Sequence, residues 1–165
     1  MKTKRTYINK ITAKDKIEIS KLFSNEEVRK YLGGPVSKHS FNNCFNNMCN
    51  SKSNHYFVVR SKNSLELIGL VSIDTYHNNK NKELSYQFLP QWWGNNYATE
   101  ILTPIINYAF TSLHLPVLYA ETQTKNKASC SLLQKLGFSL KEKLLRFNAE
   151  QAVYCKYNYF KKTKL

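Results

Sequence analysis

ELSYQFLPQWWGNNYA, residues Glu83 to Ala98, is the stretch on which the fold turns. Leu84, Tyr86 and Phe88 alternate with Ser85 and Gln87, the period of a pleated strand. Pro90 lacks a backbone N–H and ends that strand. Gln91 to Asn96 forms a short connection containing Gly94, and from Ala98 the apolar period lengthens. Ile101, Leu102, Ile105, Ile106, Ala109, Phe110 and Leu113 recur at helical spacing. A strand, a tight loop with a glycine and a helix start bring unpaired amides and the positive end of a helix dipole to one point. That arrangement suits an anion, and the ligand it predicts carries phosphate.

Spacing removes two phosphate loops from consideration. The chain has no GxxxxGK[ST] nucleotide-triphosphate loop and no GxGxxG dinucleotide fingerprint. The loop resembles instead the Q/R-x-x-G-x-G/A segment of the GNAT acyl-CoA N-acyltransferases, whose amides bind the pyrophosphate of coenzyme A. Trp93-Gly94-Asn95-Asn96-Tyr97-Ala98-Thr99-Glu100 is similar to the WGxGYATEA signature of the branch that holds the ribosomal-protein N-terminal acetyltransferases. Asn96 stands where Gly or Ala is usual, and Asn tolerates left-handed backbone angles better than other non-glycine residues. A second block, Asn126-Lys127-Ala128-Ser129-Cys130-Ser131-Leu132-Leu133-Gln134-Lys135-Leu136-Gly137-Phe138, resembles the family's NxxSxxLLxKLGF helix, which flanks the pantetheine and acetyl end of the cofactor.

The resemblance implies an α/β GNAT fold, a mixed, mostly antiparallel sheet flanked by helices, and acetyl-CoA as cofactor. It implies cofactor contacts from Gln91, Trp93, Gly94, Asn95, Asn96, Tyr97, Ala98 and Thr99 in the loop, and from Asn126 and Ser129 in the later helix. It also implies that the strand from Glu83 splays from the next one after a bulge. Its free backbone near Phe88 or Leu89 then reaches pantetheine and the thioester oxygen. Many relatives protonate the thiolate with a tyrosine seven residues after the Asn; here that position is Leu133. Ser129 is the substitute implied by the ribosomal-protein branch, with Tyr154 and Tyr157 in reserve; the plain alternative is a helix serine bonded to its own backbone. Glu83 is the expected general base, in competition with Asp74, Glu121, His77 or a water relay. Glu100 reads as structural.

Composition bounds the rest. A chain of 165 residues with 42% hydrophobic residues reads as one domain, 1–165, with a substantial core. The net charge of +14 suits an anionic cofactor, an acidic protein or nucleic acid. Lysine is scattered over every segment, which favours a solvated basic surface over a nucleic-acid face. No apolar run follows the basic Met1 to Arg5 segment, so neither a signal peptide nor a membrane span is expected. Cys44, Cys49, Cys130 and Cys155 show no CxxC and no paired spacing with His. They read as reduced thiols of a cytoplasmic protein with no metal.

The remaining pattern predicts a strand over Thr6–Ile11 and a helix capped by Thr12. A short helix opened by a Ser24–Glu27 capping box and ending at Gly33-Gly34 comes next, then a helix over Ser40–Asn50. The first of these is placed by the resemblance beside the acceptor groove. Strands are expected at His55–Arg60, Leu65–Thr75, Val117–Thr122 and Phe147–Tyr159, with Gly69 relieving crowding or marking a bulge and a helix over Thr124–Leu136. The function expected is acetyl transfer from acetyl-CoA to a primary amine, a protein N-terminus first, then a polyamine or antibiotic, by a monomer or homodimer. The competing class is a non-catalytic basic ribosome-associated or acyl-CoA-binding module.

Overall fold

Alternating strand patterns and turn residues place seven strands of the described residues in one sheet. The computed structural model describes residues 1–158; Tyr159, the predicted end of the last strand, lies outside them. The strands are β1 (Thr6–Lys10), β2 (His55–Ser61), β3 (Leu67–Thr75), β4 (Lys82–Phe88), β5 (Val117–Gln123), β6 (Ser139–Arg146) and β7 (Ala149–Tyr157). Their order is β1-β2-β3-β4-β5-β7-β6. Every neighbouring pair is antiparallel except β4 and β5. No helix among the described residues is long and apolar enough to cross a membrane.

Helices cover both faces. On one side, α4 (Tyr97–Thr111) and α5 (Lys127–Lys135) pack on Ile68, Val71, Ile73, Leu84 and Phe88. The predicted stripe Ile101, Leu102, Ile105, Ile106, Ala109 and Phe110 is the buried face of α4. On the other side, α1 (Lys16–Ser24) and α3 (Lys38–Asn50) pack on Val58, Leu67 and Leu70. Burying a large aliphatic or aromatic side chain contributes about 1.5–3 kcal/mol, so these two layers dominate the stability.

Gly69 serves both of its predicted purposes. The β2–β3 register steps from Val59↔Gly69 to Arg60↔Leu67, leaving Ile68 as a bulge. The extra residue resets the alternation, so Leu67 and Leu70 both face α1 and α3 while Ile68 and Val71 face α4. A Cβ at Gly69 would lie 2.2 Å from the Gln87 carbonyl oxygen and 2.5 Å from Phe88 Cδ1. The β3–β4 register runs unbroken from Gly69↔Phe88 to Thr75↔Lys82, so the bulge expected in β4 is absent.

Several boundaries differ from expectation, each for a local reason. Asn25, not Ser24, caps the short helix α2 (Glu26–Arg29), accepting from the Val28 N–H at 2.9 Å. Helix α5 starts at Lys127 because Asn126 is its cap. Leu65 has φ 59° and belongs to the turn before β3. Phe147 and Asn148, read as strand, have φ 53° and 56° and form the β6–β7 turn. Two successive positive φ values are the signature of the hairpin turn whose twist matches its strands.

Candidate active site

Strands β4 and β5 share ladder pairs only at Lys82↔Leu118 and Glu83↔Tyr119, and beyond Glu83 they diverge. The gap becomes a cleft of about 670 Å³, bounded by β4, β5, the loop before α4, α5 and the α2 segment. That is the size of a site for a small molecule or cofactor.

Backbone alternation decides which β4 groups face the gap. The Leu89 N–H donates to Ile68 O at 2.9 Å, so Leu89 belongs to the β3 ladder. By the antiparallel alternation the Phe88 N–H points the other way, toward the cleft. The Phe88 carbonyl agrees, since it accepts from Trp93 Nε1 at 2.8 Å. Phe88 therefore lines the cleft, whereas Leu89 is buried against α1 and α3 and is not part of its lining.

The loop before α4 is built by left-handed residues. Gly94 has φ +76° and Asn96 φ 59°, so Asn96 adopts the conformation expected of it and caps the helix. Its side-chain oxygen accepts from Lys135 Nζ at 3.1 Å, which adds a cation beside the helix start. Arg5 braces the outer side, with Nη2 donating to Asn95 O at 3.1 Å and the guanidinium 3.9 Å from the Tyr97 ring centroid. Glu100 pairs with Arg5 at 2.7 Å, the structural role expected of it. Trp93, Gly94, Asn96, Tyr97, Ala98 and Thr99 line the cleft, and Gln91 and Asn95 lie in the same loop outside its lining. Trp92, which drew no role from sequence, latches the loop by donating from Nε1 to Leu67 O at 3.0 Å.

On α5, the Asn126 side chain accepts from the Ser129 N–H at 3.2 Å and sets the helix start. The Ser129 hydroxyl is 2.8 Å from the Tyr86 hydroxyl rather than on its own backbone. Both Ser129 and Tyr86 line the cleft. Burial pushes the Tyr86 phenol up to about 12, so it keeps its proton at neutral pH. Tyr154 is buried, Tyr157 lies at the exposed end of β7, and neither lines the cleft.

Carboxylates gather where β4 and β5 part. Glu83 faces Asp74 across the β3–β4 pair, and its Oε1 accepts from the Glu121 N–H at 3.2 Å. Burial, then the nearby Asp74 and Glu121, push Glu83 up to about 8. Burial also raises Asp74. Glu83, the expected base, does not line the cleft; its rival Glu121 does. The Glu121 side chain is 5% exposed, Arg146 Nη1 lies 2.7 Å from its Oε2, and Tyr76 donates to the same oxygen at 3.0 Å. Its other oxygen, Oε1, is buried with no hydrogen-bond partner among the described residues.

Residues 5–139 match the family model for the acetyltransferase (GNAT) domain. The chain belongs to the GNAT family. It is 30% identical over 152 residues to an uncharacterised N-acetyltransferase, YoaA, from Bacillus subtilis, covering 88% of this chain and 85% of that one. Two solved structures share the GNAT fold at lower identity. Spermidine N-acetyltransferase from Vibrio cholerae, in complex with CoA and spermine, superposes with a TM-score of 0.81 at 18% identity over 93% of this chain and 95% of that one. Ribosomal-protein-S5-alanine acetyltransferase from Vibrio fischeri gives 0.80 at 19% identity over 96% of each. This GNAT enzyme is an acetyl-CoA-dependent N-acetyltransferase. The cleft fits that cofactor: amides at a left-handed loop and helix start for phosphate, an unpaired strand edge for the amide-bearing arm, and Ser129 in the first turn of α5.

Proposed function

We propose that this GNAT enzyme acetylates a chain-terminal primary amine, a protein N-terminus first, by direct attack within the cleft and without a covalent enzyme intermediate. The observation that carries the reading is Glu121, a residue of the cleft lining whose side-chain Oε1 is buried without a hydrogen-bond partner among the described residues. A lone buried carboxylate oxygen is costly unless something completes it, and an ammonium does so. Glu121 holds the acceptor and takes its proton, while Glu83 beside it shares that proton within the acidic cluster. The bound cofactor supplies an acyl group activated as a thioester. The Phe88 N–H is the donor available to its carbonyl oxygen. Ser129, bonded to Tyr86, delivers a proton to the departing sulfur. Val28, Tyr31 and Leu32 line the acceptor end and offer apolar contact to the first side chain of a peptide. A polyamine is the second reading, favoured by Glu27, which lines the same cleft and gives a second carboxylate for a second ammonium.

Thermal shift followed by an amine panel with thiol detection tests this. At about 100 times its Kd, acetyl-CoA is expected to stabilise the fold by about 2.7 kcal/mol, raising Tm by roughly 5–10 °C, with no shift from ATP or NAD. Peptides with free N-termini should release thiol faster than polyamines. Turnover of polyamines alone would move the conclusion to the second reading, and binding without turnover of any amine would make the protein an acyl-CoA-binding module.

Ser129→Ala is expected to lower kcat by about 10²-fold with acetyl-CoA affinity intact, as for a proton donor acting in the transition state. Tyr86→Phe should cost less, because it removes only the partner of the serine hydroxyl. The reverse ranking in single-turnover rates would give the proton to the tyrosine.

A further inference from the structure

Three carboxylates stand together in a chain whose net charge is strongly positive. Asp74 and Glu83 are cross-strand partners, an arrangement that repels when both are ionised. Glu83 Oε1 touches the Glu121 amide. The cation that answers them comes from the far edge of the sheet. Arg146 ends β6, two strands from β5, and its Nη1 lies 2.7 Å from Glu121 Oε2.

The hairpin is built to hold Arg146 there. Its turn puts Phe147 at φ 53°, an unfavourable conformation for an aromatic residue. The Phe147 ring lies 5.4 Å from that of His77, tying the turn to the segment after β3. Gln151 Nε2 donates to Arg146 O at 3.0 Å and fixes the backbone. Tyr76, from the same segment as His77, supplies the second donor to Glu121 Oε2 and lies with its ring centroid 5.9 Å from the Arg146 guanidinium. The two donors converge on one carboxylate oxygen and leave the other buried and without a partner among the described residues, in a residue that lines the cleft.

We propose that Arg146 is a positioning residue for the acceptor: from the β6–β7 hairpin it binds one oxygen of Glu121 and leaves the other for a cationic primary amine. The inference rests on the assignment of Glu121 as the group that receives that amine. The charged and titratable groups around this point are Asp74 from β3, Tyr76 and His77 after it, Lys82 and Glu83 from β4, Tyr119 from β5 and Arg146 from β6. Arg146 favours the ionised form of Glu83, so its loss leaves the cluster holding its proton to higher pH.

Arg146→Met and Arg146→Lys test the proposal, with Lys143→Met as a control that removes a positive charge from the same strand. In Arg146→Met the acceptor KM at pH 7.5 should rise about 10- to 100-fold with acetyl-CoA affinity unchanged. The rising limb of kcat/KM against pH should move up by about one unit. Arg146→Lys should recover much of both, and Lys143→Met should change neither. A second readout needs no turnover: ¹³C NMR of labelled glutamate side chains in the cofactor-free protein should show the cluster titrating at higher pH in Arg146→Met. A shift in the NMR titration without amine turnover by the wild-type protein would overturn the functional reading and keep the electrostatic link. A folded Arg146→Met with wild-type acceptor KM, pH limb and NMR titration would overturn the proposal. So would a variant whose only change is a lower Tm.

Discussion

Glu121→Gln is expected to lower kcat by about 10³- to 10⁴-fold at pH 7 while leaving acetyl-CoA affinity unchanged. The amide keeps the shape of the side chain and can still accept from Tyr76 and Arg146, which meet on one oxygen in the native protein. It cannot take a proton, and its NH₂ would face the position from which Glu121 Oε1 meets the acceptor. Wild-type kcat/KM should rise with pH through about 8, where Glu83 loses its proton and the cluster can accept another. In the variant the contribution of the cluster to that limb should vanish, and the residual rate should follow only the free-amine fraction in solution. A pH–rate series on the two proteins with one peptide acceptor measures both effects. Retention of more than a tenth of the wild-type kcat would remove Glu121 from proton transfer and return the role to Glu83 or water.

Gly69→Ala should be the most damaging single methyl group in the sheet. The added Cβ would sit 2.2 Å from the backbone oxygen of Gln87 and 2.5 Å from Phe88 Cδ1, contacts that no rotamer change at the alanine relieves. Either β4 moves away from β3 or the ladder breaks, at a cost of roughly 3 kcal/mol or more, a large share of a typical 5–15 kcal/mol. Because the amide of Phe88 faces the cleft, any folded remainder should also lose acetyl transfer. Urea denaturation gives the stability loss, and a midpoint within error of wild type would mean that β3 and β4 have room for a methyl group between them. Gly94 makes a contrast. A Cβ there meets nothing within 4 Å, and only its φ of +76° resists substitution.

Local chemistry makes much of this fold readable. The α4 stripe, the stop at Pro90 and the left-handed turn at Asn96 all follow from period, proline geometry and the steric tolerance of Asn. The turn of the loop is therefore legible in residue type and spacing, whereas Asn126 and Ser129 enter through the resemblance of their block to a family helix. The unread part depends on pairing. Phe88 and Leu89 are neighbours in sequence, yet the ladder to β3 engages the amide of Leu89 and turns that of Phe88 to the cleft. Nothing in the residue types distinguishes them. Glu83 and Glu121 look alike as strand carboxylates, and the divergence of β4 from β5 puts Glu121 on the cleft wall. Tyr86 reads only as an apolar strand residue because its partner lies on a helix 43 positions away. Arg146 connects to Glu121 only because a hairpin turn, and not a strand, occupies Phe147 and Asn148.

The parting of β4 from β5 also has a mechanical meaning. Four strands lie on one side of it and three on the other, and only two ladder pairs cross between them. The sheet is thus two leaves bound near one end of their shared margin. A ligand that hydrogen-bonds along the open part of β4 supplies rungs that the polypeptide lacks, so the cofactor takes the place of the strand pairing that is missing there.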